Sequence, residues 1–292
     1  MNNSMINSFV SMHTLQQKLD ILASNIANVN TAGYKKKEAS FEDVLTNIKL
    51  QPAGFRRDGR LTPLGYNQGW GSKLVGIKSN FAQGPLSPTQ NPTDLAIQGD
   101  GLFEVEVPSR DANGNLVAKQ AWTRNGAFQF EPSADGTKMY LTTKEGYRVR
   151  DVNDQQIAVP VNTHPQIDAQ GNIWAYPDGS ATAGAKVGQI KLVRVARPQL
   201  LKEMGEGLYT LPTTGNAQQD QQILADNMRN VNNLPPNDTD RVEVRQGYLE
   251  QSNVNLPDEM AELVTVQRAF QLNARALTSA DTMMNLANNL RG

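Results

Sequence analysis

The sequence predicts a mainly β central domain of short strands, inserted between long N- and C-terminal α-helices that pair with each other in a coiled-coil-like terminal domain. Three observations predict it. An apolar stripe of helical period opens the chain, a second one closes it, and the residues between them lose that period and fill with turn signals.

The first stripe is formed by Phe9, Met12, Leu15, Leu19, Leu22, Ile26 and Val29, spaced three or four apart, and no Pro or Gly interrupts residues 4 to 28. That spacing is one face of a helix of about seven turns, roughly 37 Å long. Asn7, Gln17, Asp20 and Ser24 fall on the other face.

The stretch SNIANVNTAGYKKKEASFEDVL, Ser24 to Leu45, then loses the stripe. It reads as a joint centred on Asn28, Gly33 and Tyr34. Asparagines can hydrogen-bond locally as a helix gives way, and Gly33 supplies the backbone freedom for a turn. Lys35, Lys36 and Lys37 are followed by Glu38 and Glu42, so they read as a solvated or inter-subunit face rather than a nucleic-acid arm. On this reading Gly33→Val impairs assembly more than it impairs folding of the β domain.

Residues 46–85 read as an extended arm or hairpin and linker, with Phe55, Leu61, Leu64, Tyr66 and Trp70 scattered among Gly and polar residues. Residues 86–212 read as the β-rich domain. Short apolar or alternating runs (Leu102 to Val107, Ala127 to Phe130, Ile173 to Tyr176, Gly188 to Val195) lie between turn pairs such as Asp100-Gly101, Asp135-Gly136 and Asp178-Gly179. Residues 213–245 read as a return linker, and no helical-period stretch of useful length is expected between 50 and 245.

The closing helix carries Leu256, Met260, Leu263, Phe270, Ala274, Leu277 and Met284, with Asn255 and Asp258 as its cap and Pro257 in its first turn. Extending to about Asn289, it would be roughly 50 Å long. Val264, Val266, Leu272, Met283 and Leu286 broaden its apolar face. A helix so wide in apolar surface touches more than one neighbour, since a two-stranded coiled coil needs only a narrow seam. The helical domain is therefore expected from residues 1–45 and 246–292 together. Phe9, Met12, Leu19, Leu22, Ile26, Met260, Leu263, Phe270, Leu277 and Met284 are its expected packing or assembly positions.

Composition narrows the function. Hydrophobic residues make up 38% of the 292, below the usual globular level of about 45–50%, which suits a long shape completed by assembly. A net charge of -1 and the lack of a basic patch argue against nucleic acid. The absence of cysteine excludes disulfides and thiol chemistry. No run approaches the roughly 18 apolar residues of a membrane span, and no cleavable signal peptide is expected from the N-terminal pattern.

No catalytic, cofactor or metal residues are expected. His13 and His164 are the two histidines and have no second ligand spaced near them. Asp94, Asp100 and Asp168 are explained by turns more simply than as a carboxylate pair of a wall-cutting enzyme. In the TRNG turn, Arg124 and Asn125 read as a surface contact, with the Arg124 fork facing a carboxylate of a neighbour, or as a solvated hairpin turn.

Three stretches carry a family resemblance: LDILASNIANVNTAGY (Leu19 to Tyr34), LSPTQNPTDLAIQGDGLF (Leu86 to Phe103) with TRNGAF after it, and QGYLEQSNVNLPDEMAELVTVQRAFQLNARALTSADTMMNLANNL (Gln246 to Leu290). The chain resembles the bacterial flagellar basal-body rod and hook axial proteins, the distal rod subunit most of all. The resemblance implies a structural subunit without catalysis that polymerises helically into a hollow, torque-transmitting shaft between motor and hook. Its implied partners are copies of itself, other rod and hook subunits and the flagellar type III export apparatus. It implies location in the basal body, reached without a cleaved signal peptide. The alternatives are the proximal rod or another hook–basal-body paralogue and, from a different class, a wall-binding or adhesin module, which has no use for two long apolar-striped terminal helices.

Overall fold

The computed structural model describes residues 2–43, 47–49, 66–68, 71–110, 116–177, 184–213, 216–232 and 242–290. Phe55, Leu61, Leu64, Trp70 and the Asp178-Gly179 turn lie outside them. The chain forms two compact units. One comprises Met1–Ala27, Lys37–Lys78 and Asn255–Gly292, and the other Asn28–Lys36 and Ser79–Val254. The chain passes between units four times, so residues 28–36 and 246–254 belong with the strands, whereas 37–78 belong with the helices.

In the first unit α1 spans Asn2–Ala27 and α3 spans Leu256–Asn289, and the two pack against each other. They run antiparallel: Asn25, near the end of α1, bonds Glu259 near the start of α3, and Lys18 two turns earlier meets Glu262. Asp258 and Glu259 occupy the first turn of α3, where carboxylates complement the helix dipole. Asn255 Nδ2 donates to Asp258 Oδ2 at 2.6 Å. The segment between the helices contributes a strand pair, Lys37–Asp43 with Ser72–Ser79, and an antiparallel pair, Asn47–Lys49 with Tyr66–Gln68.

The second unit is built on a ten-stranded sheet. At its centre Leu102–Arg110 pairs antiparallel with Leu116–Thr123, from Phe103 opposite Thr123 to Arg110 opposite Leu116. Alternation along the first of these strands sends Phe103, Val105 and Val107 into the main core with Leu95, Ile97, Phe128, Leu141, Ile173 and Ile190. Leu102 points to the opposite face, into a second cluster with Trp122, Val193, Leu211 and Met228.

That second face is covered by a helix that the sequence reading did not expect. α2 spans Ala217–Asn227 inside the supposed return linker, and Ile223 and Leu224 pack on the Trp122 cluster. The segment AQQDQQILADN has good helix formers without Gly or Pro but too few apolar residues for a stripe. The Trp122 surface completes its apolar face. Further along the same linker, Met228–Asn230 and Glu243–Gln246 are strands.

Two short antiparallel pairings bring the end of this unit back to its beginning. Glu243–Gln246 lies beside Leu95–Gln98, and Tyr248–Glu250 beside Leu86–Pro88, with Glu250 opposite Leu86.

Candidate functional site

One buried ion cluster of the β unit joins Arg124 and Glu250, from two of the stretches that carry the family resemblance, to Lys35, the residue directly after the first. Lys35, Arg124 and Glu250 are each no more than 3% exposed. Tyr248–Glu250 pairs with Leu86–Pro88, which holds the Glu250 carboxylate inward. Its Oε1 accepts from Lys35 Nζ at 2.7 Å and from the Gly84 amide at 2.7 Å, and its Oε2 accepts from Arg124 Nε. Lys35 Nζ also donates to the Ala82 carbonyl at 2.8 Å. The Arg124 guanidinium donates to the Gly101 carbonyl through Nη1 and to those of Gly99 (2.7 Å) and Ile97 (3.2 Å) through Nη2.

Each charge therefore has hydrogen bonds as well as a counter-charge, the condition under which a buried ion group is tolerable. Two cations share one carboxylate. Burial, the largest influence, lowers the Lys35 ammonium below the ordinary lysine value, Glu250 opposes that effect, and Arg124 adds to it. One cluster thus ties together residues 35, 82–84, 97–101, 124 and 250. Through the Ala82, Gly84, Ile97, Gly99 and Gly101 bonds it fixes backbone.

Two readings of the sequence are corrected here. Arg124 is not a surface contact: its guanidinium is consumed by Glu250 and three carbonyls. Lys35 is not part of a solvated lysine face. Asn125 is half-buried and serves its own turn, with its amide donating to Thr123 Oγ1 and its Oδ1 accepting from the Ala127 amide, both at 3.1 Å. A charged residue looks exposed in sequence when its partner is far along the chain, and Glu250 gave no local signal.

Of the joint residues, Gly33 lies against this cluster. Gly33 has φ +70°, donates its amide to the Glu250 carbonyl at 2.8 Å, and a Cβ added there would stand 2.5 Å from the Asn125 nitrogen. Tyr34 is buried, and its amide donates to Thr31 O at 3.3 Å, while Asn28 O accepts from the Thr31 amide at 3.1 Å. Next to it, Asn253 Oδ1 accepts from the Lys36 amide at 2.7 Å, and its Nδ2 donates to the Asn80 and Ala82 carbonyls. The Asn80 amide donates to Lys36 O at 2.8 Å. The asparagine of the SNVN motif thereby ties together the segments around 36, 80 and 253.

In the helical unit the seam between α1 and α3 is not centred on the most apolar columns. Among the described residues, Thr14, Ile21, Leu22 and Asn25 are buried on α1, and Glu259, Val266 and Ala280 on α3. Glu259, Val266 and Ala280 belong to one seven-residue column, and Leu263, Phe270, Leu277 and Met284 form a half-buried column beside it. Met12, Leu19 and Ile26 are likewise half-buried on α1. Phe9 and Met260 are outside the seam, 68% and 55% exposed. Val264, Leu272, Met283 and Leu286 are also exposed.

The remaining candidates have local roles. His13 Nε2 lies 3.4 Å from Gln17 Nε2 one turn on, and His164 belongs to the strand Thr163–Ile167. Asp94 accepts from Asn91 Nδ2 at 3.2 Å, Asp168 O accepts from the Gly171 amide in a turn, and Asp100 faces Arg194 at 3.6 Å. No helix among the described residues is long and apolar enough to cross a membrane.

Comparison with known proteins shows what the chain is similar to. Three family profiles match: "Flagella basal body rod protein" over residues 11–35, "Flagellar hook protein FlgE/F/G D1 domain" over 96–175, and "Flagellar basal body rod FlgEFG protein C-terminal" over 245–290. The flagellar basal-body rod protein FlgG of Agrobacterium fabrum is 31% identical over 94% of each chain. FlgG of Bacillus subtilis is 30% identical over the full length of both chains. The hook–basal body complex protein FlhP of the same organism is 29% identical, also over both full lengths. With the matched stretches distributed from the first helix to the last, the chain belongs to the flagellar basal-body rod family that includes FlgG.

Proposed function

We propose that this protein is a structural subunit of the flagellar basal-body rod, of the distal-rod kind, polymerising helically into a hollow shaft that transmits torque between motor and hook. The observation that carries the reading is the incomplete seam of α1 and α3. Phe9, Met260, Val264, Leu272, Met283 and Leu286 stay exposed on two long helices, and exposed apolar surface of that extent calls for further copies or related subunits. A contact that repeats head to tail without closing builds a filament. Its partners are copies of itself, other rod and hook subunits, and the flagellar type III export apparatus that delivers it to the basal body. The β unit contributes no substrate chemistry. Its buried ion cluster stiffens a part that bears load.

The full-length match to FlhP supports a second reading, a rod paralogue at another place in the same shaft. Deleting the gene and imaging isolated basal bodies separates the readings. A shaft truncated between the proximal rod and the hook is expected. A break elsewhere along the axis indicates the paralogue, and normal flagella would sink the rod assignment.

A further inference from the structure

The Lys35–Arg124–Glu250 cluster is short of one negative charge. Two buried cations face a single buried carboxylate, so one positive charge is left over inside the β unit. A buried ion without a counter-charge is costly. The hydrogen bonds leave a matching remainder. Of the five N–H bonds of a guanidinium, Arg124 gives one from Nε to Glu250, one from Nη1 to the Gly101 carbonyl and two from Nη2 to the carbonyls of Ile97 and Gly99. The second Nη1 hydrogen has no acceptor among the described residues.

A cavity of about 420 Å³ opens beside this group, and Arg124 forms part of its wall. Arg194 and Asp100 are the other charged residues of the lining. Arg194 Nη2 lies 3.6 Å from Asp100 Oδ2, and the Asp100 side chain is 70% exposed. That pair adds no net charge, so the excess of the buried cluster remains. Phe81, Leu102, Val195 and Pro198 make the rest of the lining largely apolar. A guanidinium prefers the planar pair of oxygens of a carboxylate. Apolar side chains beside it suit the aliphatic stem of such a group better than a bare ion.

We propose that this cavity is a carboxylate-binding site, in which the incoming carboxylate accepts from the remaining Nη1 hydrogen of Arg124 and supplies the missing negative charge. Arg124 holds it from the buried side, and Arg194 is the second cation of the site. The carboxylate can belong to a free organic acid or to an Asp or Glu side chain of a second copy. Only the latter source rests on the rod reading above.

Acetate is the probe, and acetamide, which has nearly the same shape without the charge, is its control. Each is titrated into the full-length monomer at constant ionic strength. The backbone amide resonances of Ala82, Gly101 and Ala196, all on the cavity wall, are followed. Acetate is expected to shift them saturably and acetamide to leave them in place. Arg194→Gln changes a partly exposed side chain and should weaken acetate binding several-fold in a folded chain. Lys35→Met removes the excess charge while Arg124 keeps Glu250, and should weaken it too. Shifts that never saturate, shifts of equal size with acetamide, or an acetate affinity unchanged in both variants overturn the proposal. Polymerisation in acetate and in chloride then separates the two sources. Slower assembly in acetate assigns the carboxylate to a neighbouring copy, and equal rates assign it to a free acid. Failure of the native chain to polymerise would count against the rod reading and leave the titration standing.

Discussion

Lys35 and Glu250 are 215 positions apart in the sequence, and their Nζ and Oε1 atoms are 2.7 Å apart in a site closed to solvent. Arg124 completes the group from a third part of the chain. The β unit is therefore closed by a contact that needs both ends of its sequence in place.

Removing the shared carboxylate should be the most damaging change at this cluster. Glu250→Gln leaves Lys35 and Arg124 buried without a counter-charge, and breaking such a pair costs about 3–5 kcal/mol. Urea unfolding of the β unit measures it. Lys35→Met should cost clearly less, because Glu250 retains Arg124 and the Gly84 amide. Equal losses for the two variants would contradict the account of one carboxylate serving two cations.

The cluster also gives the stability a signed dependence on pH. Burial lowers the Lys35 pKa below its unfolded value of 10.5. Between the folded and unfolded values the unfolded chain holds more protons, so stability rises with pH there. The buried Tyr209 phenol, shifted upward by desolvation from its ordinary 10.0, acts in the other direction. Above that value the unfolded chain loses its proton first, and stability falls. Denaturation midpoints measured from about pH 7 to 11 should show that Lys35→Met abolishes the rise and retains the fall. A rise of the same size in the variant would assign it to another group.

Gly33→Val should destabilise the β unit itself. The sequence alone placed the effect mainly on assembly, but Gly33 adopts φ +70° and its position leaves only 2.5 Å between an added Cβ and the Asn125 nitrogen. A β-branched residue in that conformation costs on the order of 1–3 kcal/mol before the clash is counted. Thermal unfolding of the monomer should report it. A variant that melts like the native protein and fails only in assembly would restore the purely mechanical reading of the joint.

On the exposed helix faces the expectation is reversed. Met260→Gln and Phe9→Ser alter side chains outside the seam, so monomer stability should move by no more than about 0.5 kcal/mol. Polymerisation and motility should be lost. Full motility with either variant would mean that these side chains are not assembly contacts.

Much of this architecture is legible in the residues. Uninterrupted helical period announced α1 and α3, and turn pairs between short apolar runs announced the strands. Both signals are local, because backbone geometry imposes a period on whichever side chains are buried. α2 was not legible, since its eleven residues have only the Ile223 and Leu224 pair to pack against a surface formed elsewhere. The ion cluster was missed for a related reason. Lys35 beside two more lysines and Arg124 in a turn both resemble solvated charges, and only Glu250, distant from each, makes their burial affordable.

The sequence by itself determined the element types, the nesting of strands between two helices, and the family. Tertiary structure decided which side chains face each other. Asn25, Glu259, Lys35, Arg124 and Glu250 are polar, so periodicity assigns them to the outside. Their burial is favourable only once hydrogen-bond partners from remote segments replace water. The same dependence holds in the helical unit, where Asn25 and Glu259 are buried against each other while Met260 stays exposed.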